Sequence, residues 1–315
     1  FSDPEQRKIL EYACIAASEN GSPYFVFDRD EVTLSACCRL RTQITDNYMI
    51  EHPESMRFCG FQNVTVNLPQ AAYRAGKGNV DKLLKEIADD MDTSVRAHIQ
   101  KKSFIKKLMS EKNMPLYQIG KNAQDDRPYV DLEKSTYIIG MLGLNECVQY
   151  LTGKQLHEGE ETFRLGLKII SFMHLRAKEY EKKYNLKFTL EESPAESAAR
   201  RLAKVDLQKF PEAKEVVKGN LDSDQYYYTN SIHFAANAPI GLIERITKQS
   251  MFHTLIESGA IIHAFIGEEK PNPLSIFNLI EKTSRNTKCA QLTISPEFTI
   301  CNDCNRIIRG LKESC

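Results

Sequence analysis

The alternation of short apolar runs with long amphipathic stretches limits most strongly what this chain can fold into. The short runs are rich in β-branched and aromatic residues, and the long stretches carry apolar residues at spacings of three and four. Strand and helix patterns that alternate in this way favour an α/β fold. The predicted strands cover residues 33–38, 63–68, 136–142, 187–190, 228–234 and 261–266. Long amphipathic helices are predicted over 80–112 and 159–184.

Charge and composition exclude two classes of partner. The 42 Lys and Arg residues balance the 42 Asp and Glu residues, so the formal net charge is zero, whereas a general nucleic-acid-binding surface is basic. With 42% hydrophobic residues the chain can bury a large core. No apolar run approaches the roughly 18 to 20 residues of a membrane helix. We therefore expect a soluble protein that binds neither nucleic acid nor membrane.

The nine cysteines indicate a reducing compartment. Their number is odd, and their spacing lacks the regularity of a disulfide framework. We therefore expect a cytoplasmic location. Because the chain begins with Phe1 rather than Met, we interpret it as an internal piece of a longer protein.

A small cysteine-bearing module is predicted at the end of the chain, with residues 1–295 as the main domain and 296–315 as the module. Cys301 and Cys304 form a C-x-x-C pair, and Cys315 follows. Two thiolates on one turn suit tetrahedral Zn²⁺, which needs four ligands, so a fourth cysteine is expected beyond residue 315. A redox C-x-x-C pair is the alternative, but such a pair usually lies in a thioredoxin-like unit, which this segment lacks.

The vicinal cysteines Cys37 and Cys38 end a strand-like run. Neighbouring side chains of a strand point to opposite faces, so one of the two thiols can enter a site. A buried structural cysteine is the commoner case, because free cysteines are among the most buried residues. The pair alone leaves both interpretations open.

Two polar segments also have a structural and a functional interpretation. Ser193, Pro194 and Glu196 match a helix-capping box, and the N–H groups of such a helix start can also bind an anion. The run 226–233 is polar for a buried strand, and its side chains need partners, of which a ligand is one. For His233 alone, a hydrogen-bonded core position is the commoner explanation.

Taken together, six stretches resemble the anaerobic, class III ribonucleoside-triphosphate reductases, a family of glycyl-radical enzymes. They are residues 35–40 (SACCRL), 63–72 (NVTVNLPQAA), 139–146 (IGMLGLNE), 193–196 (SPAE), 228–233 (YTNSIH) and the C-x-x-C pair at 301–304. They follow the order of the family and span nearly the whole chain.

This resemblance implies a fold and roles for single residues. The implied fold is part of a ten-stranded α/β barrel, with an inner finger loop whose cysteine becomes a thiyl radical, followed by a zinc-ribbon-like module. In the family that cysteine directly precedes an arginine, which points to Cys38. The other implied catalytic residues are Asn67, Cys59 and Glu146. The implied substrate-binding residues are Ser193, Ala195, Glu196, Asn230, Ser231 and His233, and the implied zinc ligands are Cys301, Cys304 and Cys315.

The implied activity is the anaerobic reduction of ribonucleoside triphosphates to deoxyribonucleoside triphosphates by thiyl-radical chemistry. The glycyl radical is expected outside this chain, because no Arg-x-x-Gly-Tyr-like segment occurs in it. A separate activase with S-adenosylmethionine and an iron–sulfur cluster would generate that radical. The resemblance further implies nucleotide effectors, a homodimer, and formate or a redoxin as reductant. The chain by itself is expected to be inactive.

Two other functions stay open at this point. A glycyl-radical acyltransferase of the pyruvate formate-lyase kind shares the barrel and the adjacent cysteines. The C-x-x-C pair and the sequence Asn230-Ser231-x-His233 favour the reductase over this rival. A non-catalytic, zinc-stapled α/β interaction module is the third alternative, in which the cysteine pair serves only structure.

Overall fold

The computed structural model describes residues 1–29, 33–35, 40–44, 46–267 and 269–313. Two compact units share the chain. The first consists of residues 1–29, 239–254 and 260–315, and the second of residues 30–238 and 255–259.

The second unit contains most of the regular structure. Its strands are β2 (Thr33–Ser35), β3 (Arg41–Gln43), β4 (Gly60–Asn67), β5 (Thr136–Leu142), β6 (Lys187–Glu192), β7 (Lys218–Asn220) and β8 (Gln225–Tyr227). Its helices are α2 (Asn47–Glu51), α3 (Leu68–Ala75), α4 (Val80–Ser110), α5 (Leu144–Thr152), α6 (Glu160–Tyr184) and α7 (Glu196–Lys209), with 3₁₀ turns at Pro53–Ser55 and Pro211–Glu215. The first unit contains α1 (Pro4–Asn20), α8 (Leu242–His253), α9 (Pro273–Asn286), β1 (Phe25–Val26), β9 (Ile262–Phe265), β10 (Gln291–Ser295), β11 (Phe298–Ile300) and β12 (Ile307–Arg309).

A parallel sheet of β4, β5 and β6, with β5 in the centre, organises the second unit. Because side chains alternate along a strand, its two faces differ in chemistry. One face carries Tyr137 and Phe188, whose rings pack against His98 of α4. The other face carries Asn63, Thr65, Glu191 and Ser193. The apolar face therefore binds the long helix, and the polar face is left for other contacts.

The sheet of the first unit is smaller and mixed. β10 pairs with β9 in parallel and with β1 in antiparallel fashion. Its core is formed by buried apolar residues of α1, α9 and the three strands, among them Ala17, Phe277, Ile262 and Leu292. β11 and β12 form a separate antiparallel hairpin.

The predicted α/β class is confirmed, and most of the predicted elements are present. β5 covers residues 136–142 as predicted, and α4 and α6 differ from the predicted ranges by two residues or fewer. The strand predicted at 228–234 is wrong. β8 ends at Tyr227, and the chain then turns, with Ser231 at φ 45°. The ten-stranded barrel, the zinc module and the boundary between residues 295 and 296 stay predictions.

No helix within the described residues is long and apolar enough to cross a membrane.

His98 makes the stability of this sheet depend on pH. Its side chain is fully buried, and its Nε2 lies 2.9 Å from the carbonyl oxygen of Ile138. Burial lowers the pKa of His98 below its usual value, because the apolar surroundings disfavour the charged ring. The unfolded chain therefore binds the proton more readily than the folded chain. The stability that neutral His98 contributes is complete above about pH 6.5 and is lost as the pH falls through its lowered pKa.

We expect the free energy of unfolding to fall as the pH drops from about 6.5 to 5.5, by up to about 1.4 kcal/mol per pH unit from this residue, and to be unaffected by it above that range. His98→Gln keeps a donor for the Ile138 carbonyl and should flatten that slope. Urea unfolding at several pH values measures it, with the exposed His52→Gln as control. An unchanged slope in His98→Gln would contradict the role of His98.

Candidate functional site

The residues predicted for substrate binding gather where the three parallel strands end. Asn67 ends β4, Leu142 ends β5 beside it, and Glu192 ends β6. The C-terminal ends of parallel strands share one edge of a sheet, which is where ligands of α/β folds bind. We call this the C-terminal edge. Glu146 follows it on α5, and Ser193 and Glu196 follow it on the way into α7.

A cluster of polar side chains lies on the polar face just before this edge. Asn63 Nδ2 donates to Glu191 Oε2 at 2.7 Å, and the Thr65 and Ser193 hydroxyls are 2.7 Å apart. The Ser193 hydroxyl also reaches Asn63 Oδ1 at 3.3 Å. These bonds join β4 to the end of β6 across the central strand at Gly140. A Cβ atom there would overlap Ser193 Oγ and Asn63 Oδ1, so only glycine leaves room for the cluster.

The predicted capping box at Ser193 is wrong. α7 begins at Glu196, its N-cap residue is Ala195, and no side chain of the described residues caps it. The reason is that the Ser193 hydroxyl is taken up by Thr65 and Asn63. The start of α7 therefore keeps N–H groups without a side-chain cap, at the C-terminal edge. Ser193 and Ala195 are both buried.

Glu146 anchors the segment that contains Asn230, Ser231 and His233. Its side chain is fully buried. Its Oε1 accepts from the Thr229 hydroxyl at 2.6 Å, and its Oε2 accepts from the Thr229 N–H at 3.0 Å. Asn145 Nδ2 adds a third bond at 3.0 Å. Burial raises the pKa of Glu146.

Residues 229–233, which we call the 229–233 segment, lie against the start of α5 and near that of α7. The Leu144 N–H donates to the Ser231 carbonyl oxygen at 3.1 Å, and Asn230 Nδ2 donates to Glu196 Oε1 at 3.4 Å. His233 Nε2 is 3.6 Å from Glu192 Oε2. Among the described residues, Ser231 Oγ and Asn230 Oδ1 are buried without a hydrogen-bond partner. Such atoms are costly, and a polar ligand would satisfy them.

Hydrogen bonds fix both the nitrogen and the oxygen of the Asn67 side-chain amide. Its Nδ2 donates to Asp206 Oδ2 at 2.8 Å, and its Oδ1 accepts from the Gln70 N–H at 3.4 Å as the cap of α3. Asp206 was not singled out from the sequence, nor was Glu192. Asp206 lies inside a helical pattern, where an acidic residue usually faces solvent. The adjacent glutamates before Ser193, at the end of an otherwise apolar strand, were a signal for Glu192.

Cys59 lies at the other end of the sheet. It directly precedes β4, and eight residues of strand at about 3.3 Å each separate it from Asn67 by about 26 Å. Cys59 is thus not brought together with the residues of the C-terminal edge. Cys37 and Cys38 lie outside the described residues, between β2 and β3.

Cys301 and Cys304 lie at the turn between β11 and β12. The Cys301 N–H donates to the Arg306 carbonyl oxygen at 3.0 Å, and the Asn305 N–H donates to the Cys301 carbonyl oxygen at 2.9 Å. Asn305 has φ 56°, the left-handed conformation that closes the turn. Cys315, the third predicted zinc ligand, lies outside the described residues, and no group of three His, Cys, Asp or Glu suited to a metal occurs within them.

Comparison with known proteins shows which family this chain matches. A sequence model of the family described as anaerobic ribonucleoside-triphosphate reductase matches residues 1–315. The protein of that name from Enterobacteria phage T4 is 26% identical over 218 residues, which are 66% of this chain and 33% of that protein. The Escherichia coli protein of that name is 22% identical over 216 residues, 66% of this chain and 29% of that protein. The chain spans about a third of the length of these relatives.

Solved structures share the fold. The anaerobic ribonucleotide reductase from Thermotoga maritima with glycerol in the active site matches with a TM-score of 0.60 and 22% identity, over 80% of this chain and 39% of that chain. The same enzyme in complex with dATP and CTP matches with a TM-score of 0.59 and 21% identity, over 80% of this chain and 39% of that chain. At this level of identity, the match establishes the α/β fold.

Gly140→Ala tests the polar cluster. The added methyl group would collide with Ser193 and Asn63, and overpacking of this kind costs about 1–3 kcal/mol. Urea unfolding should show that loss. Adding Ser193→Ala removes one of the two overlapping oxygens and should restore part of it. Gly159→Ala, whose Cβ would meet only Thr162 Oγ1 at 3.7 Å, is the control. An equal cost for Gly140→Ala and Gly159→Ala would rule out the close approach.

Proposed function

The chain belongs to the anaerobic ribonucleoside-triphosphate reductase family, and from this premise we propose that it takes part in reducing ribonucleoside triphosphates to deoxyribonucleoside triphosphates. The substrate would bind at the C-terminal edge of β4, β5 and β6. One observation carries this placement: Ser231 Oγ and Asn230 Oδ1 are buried without partners among the described residues, next to the uncapped start of α7.

The residues at this edge suit the two ends of a nucleotide. The uncapped N–H groups of α7 attract the negative charge of a triphosphate. Glu196 would oppose that charge, and its Oε1 accepts a hydrogen bond from Asn230 Nδ2 at 3.4 Å. Ser231 Oγ and Asn230 Oδ1 offer a donor and an acceptor to sugar hydroxyl groups. His233 lies beside Glu192 and completes the polar lining.

The proposed chemistry centres on Cys38. The Cys38 thiol would lose its hydrogen atom to a glycyl radical outside this chain, which a separate activase with S-adenosylmethionine and an iron–sulfur cluster would generate. The Cys38 sulfur would then take the hydrogen atom from C3′ of the ribose, and the 2′-hydroxyl would take up a proton and leave as water. Formate or a redoxin would supply two electrons, which with a second proton place a hydrogen at C2′. The Cys38 thiol would finally return its hydrogen atom to C3′ and become a radical again.

Of the other catalytic residues that the resemblance implies, Asn67 and Glu146 lie at this edge, whereas Cys59 lies about 26 Å from Asn67 and is not proposed for this step. The bonds of Glu146 to Thr229 favour an anchoring role for it, and those of Asn67 favour a capping role.

The β11–β12 hairpin suits one half of a zinc site. Thiolates are the ligands that structural Zn²⁺ prefers, and Cys301 and Cys304 are presented on one turn by the two strands. They would hold the ion together with Cys315 and one further cysteine. The ion would stabilise this hairpin, since a four-thiolate site has no open position for chemistry.

Partners are proposed from the same family. Nucleotide effectors, a homodimeric assembly and a cytoplasmic location complete the proposal. The family match does not favour the acyltransferase or the non-catalytic module.

Cys38→Ala should abolish nucleotide reduction in the complete, activated protein, while the dissociation constant for the substrate changes by less than about threefold. The reason is that the sulfur reacts but contributes little binding. Cys37→Ala is the matched control and should keep turnover. Anaerobic assays of deoxyribonucleotide formation measure both variants. Turnover in Cys38→Ala together with its loss in Cys37→Ala would move the role to the other sulfur.

Ser231→Ala should weaken binding of a ribonucleoside triphosphate by about fivefold, which corresponds to about 1 kcal/mol for one lost hydrogen bond. Isothermal titration of the complete protein measures the dissociation constant. Ser103→Ala, an exposed position on α4 whose hydroxyl bonds to the Ile99 carbonyl oxygen, is the control. An unchanged constant in Ser231→Ala would remove the 229–233 segment from the substrate site.

A further inference from the structure

We infer that Asp206 is a positioning residue. Asp206 bonds to Tyr228 and Glu146 bonds to Thr229, and together they fix the conformation of the 229–233 segment. This inference rests on the proposed function of that segment as a substrate contact. Asp206 lies on α7, is fully buried and would not touch the substrate.

Three side chains donate hydrogen bonds to the Asp206 carboxylate. Its Oδ1 accepts from Gln70 Nε2 of α3 at 2.6 Å. Its Oδ2 accepts from Asn67 Nδ2 at the end of β4 at 2.8 Å and from the Tyr228 hydroxyl at 2.9 Å. A carboxylate that accepts at both oxygens orients all its donors at once. Asp206 therefore links the C-terminal edge, α3 and α7 to the residue that precedes the 229–233 segment.

Tyr228 is locked on its other side as well. Its hydroxyl lies 3.0 Å from that of Tyr73. Since Tyr228 gives its proton to Asp206, the Tyr73 hydroxyl must be the donor in this pair. Burial raises the pKa of Tyr228 and of Tyr73, so both phenols keep the protons that these bonds need.

Adjacent residues are thus held by two different buried carboxyl groups. Tyr228 bonds to Asp206, and Thr229 bonds to Glu146 through both its hydroxyl and its N–H. The backbone adds two bonds, from the Gly143 N–H to the Thr229 carbonyl oxygen and from the Leu144 N–H to the Ser231 carbonyl oxygen, each of 3.1 Å. We call Asp206 and Glu146 with these partners the carboxylate clamp.

Ser231 needs the support of the carboxylate clamp. Ser231 has φ 45°, a left-handed conformation that costs a non-glycine residue of order 1 kcal/mol or more. Its buried hydroxyl has no partner among the described residues. An unfolded chain would favour neither the left-handed conformation of Ser231 nor the burial of its hydroxyl. The surrounding contacts of the folded protein therefore impose both. Weakening the clamp should let the segment relax and should move Ser231 and Asn230 out of place.

The experiment compares three single variants of the complete protein. Asp206→Asn turns one acceptor into a donor that faces other donors. Tyr228→Phe removes only the hydroxyl and keeps the ring, so it remains informative where Asp206→Asn fails to fold. Asp224→Asn removes an exposed carboxylate that pairs with Arg200, and it is the matched control.

Two measurements separate positioning from plain stability. Amide hydrogen exchange of residues 229–233, without nucleotide, should be about tenfold faster in Asp206→Asn and Tyr228→Phe than in the wild type or Asp224→Asn. The KM for the ribonucleoside triphosphate should rise about tenfold, while kcat at saturation falls by less than about threefold. A merely structural role would lower the active fraction, and with it kcat, at an unchanged KM.

Unchanged exchange in both variants overturns the inference, whatever the ligand. Faster exchange with an unchanged KM also overturns it, because the clamp would then not position a substrate contact. If the wild type neither binds nor reduces nucleotides, the proposed function fails, and faster exchange would still support Asp206 as the anchor of the segment.

Discussion

The hydrogen bonds that two buried carboxyl groups accept hold the polar end of the parallel sheet together. Within the described part of the chain, Asp206 and Glu146 accept six bonds from side chains and backbone. A buried donor that loses its acceptor costs about 1–3 kcal/mol, so each of these bonds ties its element firmly to the others. The end of β4, the start of α5, the C-terminal part of α7 and the chain at Tyr228 and Thr229 are thereby tied to these two carboxyl groups.

The two faces of the parallel sheet have different roles. The aromatic face, with Tyr137 and Phe188, packs on α4 and provides the apolar burial that folds the unit. The opposite face carries the polar cluster around Gly140 and leads to the C-terminal edge. A sheet with polar groups on both faces would lack this apolar core.

Regular elements with a strong local pattern could be predicted from the sequence. The run 136–142 is apolar except for Thr136 at its start, and β5 is buried along its whole length, which is typical of a central parallel strand. The six stretches that resemble the reductase family pointed to the family that matches residues 1–315. The same stretches located Ser193, Glu146 and the 229–233 segment, which the fold brings to one edge.

The sequence predictions fail where residues far apart in the chain determine the local structure. Ser193 has the local pattern of a cap, but Thr65 and Asn63, 128 and 130 residues away, take its hydroxyl. Residues 228–234 resemble a strand, but Tyr228 and Thr229 are drawn to carboxyl groups on two different helices. Asp206 looks like a surface residue until the fold brings Asn67 and Gln70 to it from more than 130 positions away. No local pattern contains that information.

The donors of the carboxylate clamp have a consequence for its response to salt. Amides, hydroxyls and backbone N–H groups satisfy Asp206 and Glu146, and no Lys or Arg bonds to either among the described residues. Dissolved ions screen attraction between exposed charges, but they hardly reach buried bonds of this kind. The shape of this edge should therefore be insensitive to ionic strength, whereas binding of the triphosphate proposed at the start of α7 would weaken as salt is added. Binding and the geometry of the edge would in this way respond separately to ionic strength.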